Sequence, residues 1–109
     1  MLKHVVFLKF NKECPESAIC EIEKGLAELP GIIPEIMEFQ SGRDVVHSER
    51  SYDFALVSGF ENLEAMRRYQ VHPAHQQVLV KIKEHCESIL GVDFDIDGEP
   101  GLTTLTTRH

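Results

Sequence analysis

The N-terminal segment is rich in β-branched and aromatic residues, and its apolar side chains fall at both even and odd positions. Residues 2–10 contain neither Gly nor Pro and predict a β-strand. On one face of this strand, Val5 and Phe7 stand between two lysines. The other face would carry Leu2, His4, Val6, Leu8 and Phe10. Apolar centres on both faces are typical of a strand that is covered on two sides.

Three later segments place apolar residues at helical spacing. The first begins at Pro15, a residue type favoured at the first helical position, and stops at Pro30-Gly31. The second follows Asn62, a favoured N-cap, and is interrupted at His72-Pro73, because a residue before proline disfavours the helical region. Pro73 then opens a third helix. The stripes of the first and third helices would be Ile19, Ile22, Leu26 and Leu29, and His75, Leu79, Ile82, Cys86 and Ile89.

Three further strands are predicted at about residues 35–43, 52–60 and 90–96. The order β-α-β-β-α(α)-β is the split βαβ pattern of ferredoxin-like α+β folds, in which the helices cover one face of a four-stranded antiparallel sheet. Residues 1–97 would form this single domain. The tail, residues 98–109, is interpreted as disordered or as an edge strand on a partner. In the third strand, one face would carry Tyr52, Phe54, Leu56 and Phe60.

The face of the sheet that points away from the helices is predicted to be apolar too. Leaving its large side chains in water would forfeit about 1.5–3 kcal/mol for each of them. An apolar patch of this extent indicates an interface, and a two-fold homodimer with sheet against sheet is the simplest closed arrangement. The two sheets would enclose an eight-stranded, barrel-like core. The predicted face consists of Val5, Phe7, Met37, Phe39, Ala55 and Val57.

Composition argues against several classes of partner. The 109 residues carry a formal net charge of −7 and no dense cluster of Lys or Arg, so neither nucleic acid nor an anionic membrane is expected. No apolar run approaches the roughly 18 residues that span a bilayer. The three cysteines, Cys14, Cys20 and Cys86, lack CxxC spacing and argue for reduced thiols in a cytoplasmic protein.

Several segments together carry a family resemblance. They are the first strand, the turn Gly31-Ile32-Ile33-Pro34, the third strand, and residues 60–75 with the pattern Tyr-x-x-His-Pro-x-His at 69–75. From residue 2 to about residue 97 the chain resembles the stress-responsive dimeric A/B barrel (Dabb) family. This resemblance implies a ferredoxin-like homodimer and a stress-response role, and it names no reaction.

A more distant similarity to the plant polyketide cyclases of this family, the olivetolic acid cyclase-like branch, implies a candidate site. Those enzymes close a ring by aldol-type chemistry, without a metal or organic cofactor in the reaction. The matching residues are His75 as the base, Tyr69 as its assistant and His4 in the first strand. One departure is Phe54, which stands where the branch has a further pocket histidine.

The resemblance also implies a structural metal and a second departure. Ile22 and Leu26 replace aromatic residues of the first helix, which puts the plant substrate in doubt. Some family members hold magnesium at the dimer interface through backbone carbonyls just after the first helix. The matching positions here are Pro30, Ile33 and Ile36.

His75 has the position that suits a general base. It is predicted in the first turn of a helix on the inner stripe, where the helix end and partial burial both disfavour imidazolium. A neutral imidazole can accept a proton near pH 7, and Tyr69 could donate to a developing enolate oxygen. The predicted ligand is a small apolar carbonyl compound. The predicted chemistry is proton abstraction beside that carbonyl, as in a cyclase, lyase or isomerase.

Simpler interpretations exist for the same residues. His75 and His4 could hydrogen-bond across the gap between sheet and helices and only fill the core. The protein would then be a non-catalytic dimer that binds a ligand or another protein during stress. His72 is expected to cap the third helix rather than to share a metal with His75. Cys86 is expected to be a small core residue.

Overall fold

The secondary structure follows the predicted order. The computed structural model describes residues 1–96, and the predicted tail at 98–109 lies outside them. The antiparallel sheet has the strand order β2-β3-β1-β4, which confirms the ferredoxin-like α+β fold. None of the helices within residues 1–96 has both the length and the apolar character needed to cross a bilayer. The elements are β1 (Leu2–Phe10), α1 (Glu16–Glu28), a 3₁₀ turn (Leu29–Gly31), β2 (Glu38–Arg43), β3 (Phe54–Phe60), α2 (Leu63–Val71), α3 (Pro73–His85) and β4 (Cys86–Asp95).

β1 is the central strand and sets the faces of the sheet. It pairs with β3 on one side and β4 on the other, so that His4 lies opposite both Ser58 and Asp93. Directly opposed residues of an antiparallel pair point to the same face. The even positions of β1 face the helices, and Leu2 and Leu8 among them are buried. The bounds and the two faces predicted for β1 are therefore confirmed.

The helices pack tightly over this inner face. α1 approaches α3 at Gly25, where an added Cβ would lie only 3.0 Å from Val78 Cγ2. A larger residue at this position would push the two helices apart or displace Val78. Below them lies one continuous core that includes Leu8, Ile22, Leu26, Leu29, Ile33, Phe54, Phe60 and Tyr69.

The opposite face, here called the outer face, is apolar but differs in composition from the prediction. Phe39 lies opposite Ser58 and packs against the core on the helix side, whereas Met37 precedes β2. A strand as polar as β2 cannot set its own register, so its pairing with β3 decides which residues face inward. The residues that form the outer face are Val5, Phe7, Ala55, Val57, Leu90, Val92 and Phe94.

Tyr52 also lies elsewhere than predicted. β3 begins only at Phe54, so the alternation of that strand does not extend back to Tyr52. The Tyr52 ring instead lies beside Phe7 on the outer face, with 6.4 Å between ring centroids. Its hydroxyl is hydrogen-bonded to Ser88 Oγ at 2.9 Å. Tyr52 therefore spans β1 and links the outer face to β4.

α3 ends earlier than its apolar stripe predicted. The chain passes directly from His85 into β4 at Cys86, and Ile89 lies opposite Leu8 in the sheet. Neither Cys86 nor Ile89 therefore belongs to the stripe of α3. Considered alone, apolar residues spaced by three or four positions are compatible with a helix. Pairing with the whole length of β1 decides the outcome here, because it satisfies the backbone groups of residues 86–95.

A proline-enforced corner separates α2 from α3. Asn62 caps α2 by accepting a hydrogen bond from Ala65 N at 2.9 Å. His72 caps α3 in the same way, with its Nδ1 accepting from Ala74 N at 3.1 Å. Pro73 occupies the first helical position, where its missing N–H leaves no intrahelical bond unmade. The predicted capping role of His72 is confirmed.

We expect His72→Ala to lower the free energy of unfolding by about 1 kcal/mol, because the Ala74 N–H loses its acceptor. His72→Asn should recover most of this loss, since asparagine is a preferred N-cap. Urea denaturation followed by circular dichroism measures both variants. Equal losses for alanine and asparagine would contradict the capping role.

Candidate functional site

A cavity of about 300 Å³ lies between the helices and the inner face of the sheet. The polar residues His4, Tyr69, Gln70, His75 and Gln76 are among its lining. The remainder is almost entirely apolar, and α1, α3 and the sheet all contribute. These apolar residues include Val6, Leu8, Leu26, Leu56, Val78, Leu79, Ile82 and Ile89. An apolar cavity with a few polar groups is the usual form of a small-molecule site.

The corner between α2 and α3 brings two predicted site residues together. Tyr69 lies in the last turns of α2 and His75 in the first turn of α3, and their ring centroids are 4.4 Å apart. The end of α2 leaves the Gln70 carbonyl available to side chains. It accepts hydrogen bonds from His75 Nδ1 at 3.0 Å and from Gln76 Nε2 at 2.5 Å. These bonds hold the His75 ring against Tyr69.

The contact with Gln70 fixes the tautomer of His75. A carbonyl oxygen can only accept, so Nδ1 carries the proton and Nε2 of the neutral ring keeps a free lone pair. Burial lowers the pKa of His75, and the positive charges that His4 and His72 can carry act in the same direction, while the bond to Gln70 opposes them. The ring is therefore neutral at pH 7 and has the form that a proton acceptor requires.

Tyr69 presents a donor that has no partner within residues 1–96. Its side chain is fully buried and its hydroxyl contacts neither a donor nor an acceptor in the described chain. Burial raises the pKa of this phenol well above its ordinary value, so the hydroxyl stays protonated. The ring is held by Phe60, at a centroid distance of 4.8 Å. A buried hydroxyl without a partner costs free energy, and a ligand atom could satisfy it.

His4 is the third member of the cluster, and it is bonded to Asp93, which was not predicted as a site residue. Its ring centroid is 6.2 Å from that of Tyr69. Its Nδ1 hydrogen-bonds the carboxylate of Asp93, which lies directly opposite His4 in the β1–β4 pair. A carboxylate on one ring nitrogen orients a histidine and determines its tautomer. The sequence offered only a weak signal, because Asp93 shares the inner face of β4 with Asp95 and only the pairing with β1 singles it out.

Two other residues noted in the sequence lie outside the cavity. Phe54, at the position of the missing histidine, is buried in the core with its ring 6.4 Å from that of Phe10. Burial, the nearby Cys14 thiol and Asp53 together raise the pKa of Cys86 to about 11. The Cys86 thiol is therefore protonated at neutral pH, which does not suit a nucleophile.

The metal predictions can be compared with the donors that are present. Within residues 1–96, no group of three or more His, Cys, Asp or Glu side chains is arranged to hold a metal. Carbonyl oxygens suit magnesium, but the Ile33 carbonyl already accepts the Ile36 N–H at 3.3 Å. The three carbonyl oxygens at this turn are of the right chemical type for magnesium but carry no charge. They belong to Pro30, Ile33 and Ile36, and that of Ile33 already accepts a hydrogen bond. Magnesium at this turn stays a prediction.

Comparison with known proteins identifies the family. The family model for the stress responsive A/B barrel domain matches residues 2–96. The chain belongs to the Dabb family. It is 34% identical over 76 residues to olivetolic acid cyclase of Cannabis sativa, covering 68% of this chain and 75% of that protein. It is 30% identical over 95 residues to the stress-response A/B barrel domain-containing protein HS1 of Arabidopsis thaliana, covering 85% of this chain and 87% of that protein.

A solved structure gives the same result for the fold of this Dabb protein. A dimeric ferredoxin-like protein of unknown function from Thermobifida fusca superimposes with a TM-score of 0.80 at 26% identity. The match covers 87% of this chain and 90% of that one. The predictions of the family and of the ferredoxin-like fold are therefore confirmed. The roles predicted for His75, Tyr69 and His4 stay predictions.

The lowered pKa of His75 predicts a pH dependence of stability. An unfolded histidine titrates near pH 6.5, so between that pH and the lower folded pKa the unfolded state binds more protons. The free energy of unfolding should therefore fall as the pH falls through this window, and level off below it. The measurement is urea denaturation of the wild type and His75→Gln between pH 5 and 8. A difference between the two proteins that does not vary with pH would contradict this origin.

Proposed function

We propose that this Dabb protein binds a small carbonyl compound and carries out general acid/base chemistry of the cyclase, lyase or isomerase type. The observation that carries the proposal is the cluster of His75, Tyr69 and His4 at one apolar cavity. Membership of a family with a relative named as a cyclase supports the reaction class. The proposed steps use side chains of this chain alone.

In the proposed reaction, His75 Nε2 removes a proton from the carbon next to the carbonyl group. The electron pair of the broken C–H bond moves into the new C=C bond, and the carbonyl π electrons move onto oxygen. Tyr69 donates a hydrogen bond to this oxygen as negative charge develops there and keeps its proton throughout. His4, oriented by Asp93 and beside Tyr69, is a further polar partner for the ligand. The proton on His75 then returns to the product.

A non-catalytic ligand-binding role is the second candidate. It is favoured by Phe54, which fills with a buried aromatic ring the position where the cyclase branch would have a histidine. In this role, the cavity would bind its ligand without turnover during stress. Both candidates place the ligand against Tyr69 and His75, so they differ in proton transfer rather than in binding.

We also propose that the protein is a homodimer through its outer face. Phe7, Leu90, Val92 and Phe94 are 41–59% exposed there, although each belongs to the sheet. Structural neighbours described as dimeric support this assembly. β4 is also an edge strand, and an exposed edge of this length favours pairing with another chain. Separately from the dimer, we propose a cytoplasmic location, which the three free cysteines support.

Proton transfer can be tested without the natural substrate. 2-Heptanone in D₂O exchanges the hydrogens next to its carbonyl, and NMR follows their loss. We expect the wild type to accelerate this exchange, and His75→Ala to reduce the acceleration about 100-fold or more, because a positioned general base contributes at least this much. Tyr69→Phe should also reduce it, since the developing oxyanion loses its donor.

His85→Ala is the control for this assay, because it also removes a partly exposed histidine but lies outside the cavity. It should leave the exchange unchanged. If His75→Ala exchanged the ketone as fast as the wild type, His75 would not be the base. If the wild type bound the ketone in the cavity without accelerating exchange, the non-catalytic role would be favoured.

The outer-face interface predicts a specific effect on assembly. The wild type at micromolar concentration should sediment as a particle about twice the 12.4 kDa of the chain. Val92→Glu should shift it towards the monomer, because a charge would be buried between the two sheets. Val80→Glu is the matched control, since Val80 is exposed on α3 instead. A wild type that sediments only at 12.4 kDa would rule out the dimer.

A further inference from the structure

We infer that the cavity selects an uncharged carbonyl compound that also carries a hydrogen-bond donor, and that it rejects a carboxylate of the same shape. A primary carboxamide is the simplest member of this ligand class. The inference rests on the pocket in the proposed function, but it concerns what the pocket recognises and not whether it catalyses.

Within residues 1–96, the lining of the cavity supplies no fixed positive charge. Among the cavity-lining residues of the described chain, none is Lys, Arg, Asp or Glu. His75 is held neutral by its burial, so it does not supply a cation. A carboxylate in this cavity would lose its hydration and find no counter-charge. An isolated buried charge is unfavourable because it loses its hydration and gains no compensating interaction.

Asp93 places a negative charge close to the cavity. Its carboxylate bonds the Nδ1 of His4, on the other side of a ring that lines the cavity. A negative charge therefore lies one imidazole ring away from any ligand that contacts His4. It disfavours an anionic ligand by like-charge repulsion, which solvent weakens but does not remove because the Asp93 side chain is 39% exposed. A neutral ligand is not affected in this way.

The hydrogen-bonding groups at the cavity comprise a free donor and a free acceptor. Tyr69 supplies one O–H donor that has no partner within the described residues. His75 uses Nδ1 for a protein contact, which leaves the Nε2 of its neutral ring as an acceptor. The Gln70 carbonyl is engaged twice, by His75 and by Gln76. The complementary ligand therefore has one acceptor oxygen for Tyr69 and one donor hydrogen for His75 Nε2, which a carboxamide has and a carboxylate lacks.

The probes for the test are hexanamide and hexanoate, which have the same shape and number of non-hydrogen atoms. Their dissociation constants are measured at about pH 7.5, where hexanoate is ionised, from shifts of the backbone amide signals of Tyr69 and His75 in ¹⁵N–¹H spectra. We expect hexanamide to bind the full-length protein at least about tenfold more tightly, because the anion loses hydration that nothing in the cavity replaces.

A designed reversal makes the test sharper. Gln76→Arg places a guanidinium at the exposed rim of the cavity, and this group can still donate to the Gln70 carbonyl. It should tighten hexanoate by about tenfold while changing hexanamide little. The matched control is Gln77→Arg, which adds the same charge at the next residue of α3, on a groove lined by α1 and α3 outside the cavity.

The outcomes separate this inference from the proposed function. If hexanoate binds the wild type as tightly as hexanamide, the charge selection is wrong and the pocket itself stands. If neither probe shifts the signals of Tyr69 and His75, the pocket is wrong and the inference falls with it. If Gln77→Arg tightens hexanoate as much as Gln76→Arg, the selection arises from overall charge and the inference is overturned.

Discussion

A residue before proline is held out of the helical region, and this constraint on His72, imposed by Pro73, organises the candidate site. A helix that ran unbroken from Leu63 to His85 would consume its carbonyls internally. The break at Pro73 leaves the Gln70 carbonyl to side chains, and His75 and Gln76 use it. The same break turns the chain, so that Tyr69 at the end of one helix meets His75 at the start of the next. The tautomer of His75 and its contact with Tyr69 both depend on this corner.

The site is set into the core at a cost to stability. A buried hydroxyl without a partner, such as that of Tyr69, costs about 1–3 kcal/mol relative to a satisfied one. The surrounding aromatic and aliphatic residues offset this cost by close packing, and Phe60 and Phe54 are completely or almost completely buried. A core shaped only for stability would place a phenylalanine at position 69. The orphan hydroxyl is the feature that packing alone does not explain, and a ligand oxygen would explain it.

Much of the fold could be predicted because local signals agreed with the tertiary structure. Pro15, Asn62 and Pro73 mark helix starts by their own backbone chemistry, and the alternation in β1 shows both of its faces. The predictions were wrong where a segment lacked such local signals. β2 has one large apolar residue, so only its partner β3 could place Phe39 on the helix side. The end of α3 was misjudged because Cys86 and Ile89 fit a helical stripe as well as they fit a strand.

The candidate site was predictable in part for the same reasons. His75, Tyr69 and His4 were implied by the family resemblance, and the helix break that brings Tyr69 to His75 is local in sequence. Asp93 was not predicted, because its contact depends on the register between β1 and β4, which are far apart in the chain. Only the sheet pairing brings this fourth residue to His4. Periodicity could place Asp93 on a face, but it could not give it His4 as a neighbour.

β1 contributes to two different environments through neighbouring residues, with His4 and Val6 turned to the cavity and Val5 and Phe7 turned away. Removing or adding one residue within this strand would exchange the two sets on one side of the change, because successive side chains point in opposite directions. Either Lys3 or Lys9 would then point into the core. Evolution can therefore vary this strand by substitution, but a single-codon insertion or deletion there would disrupt the cavity and the outer face at once.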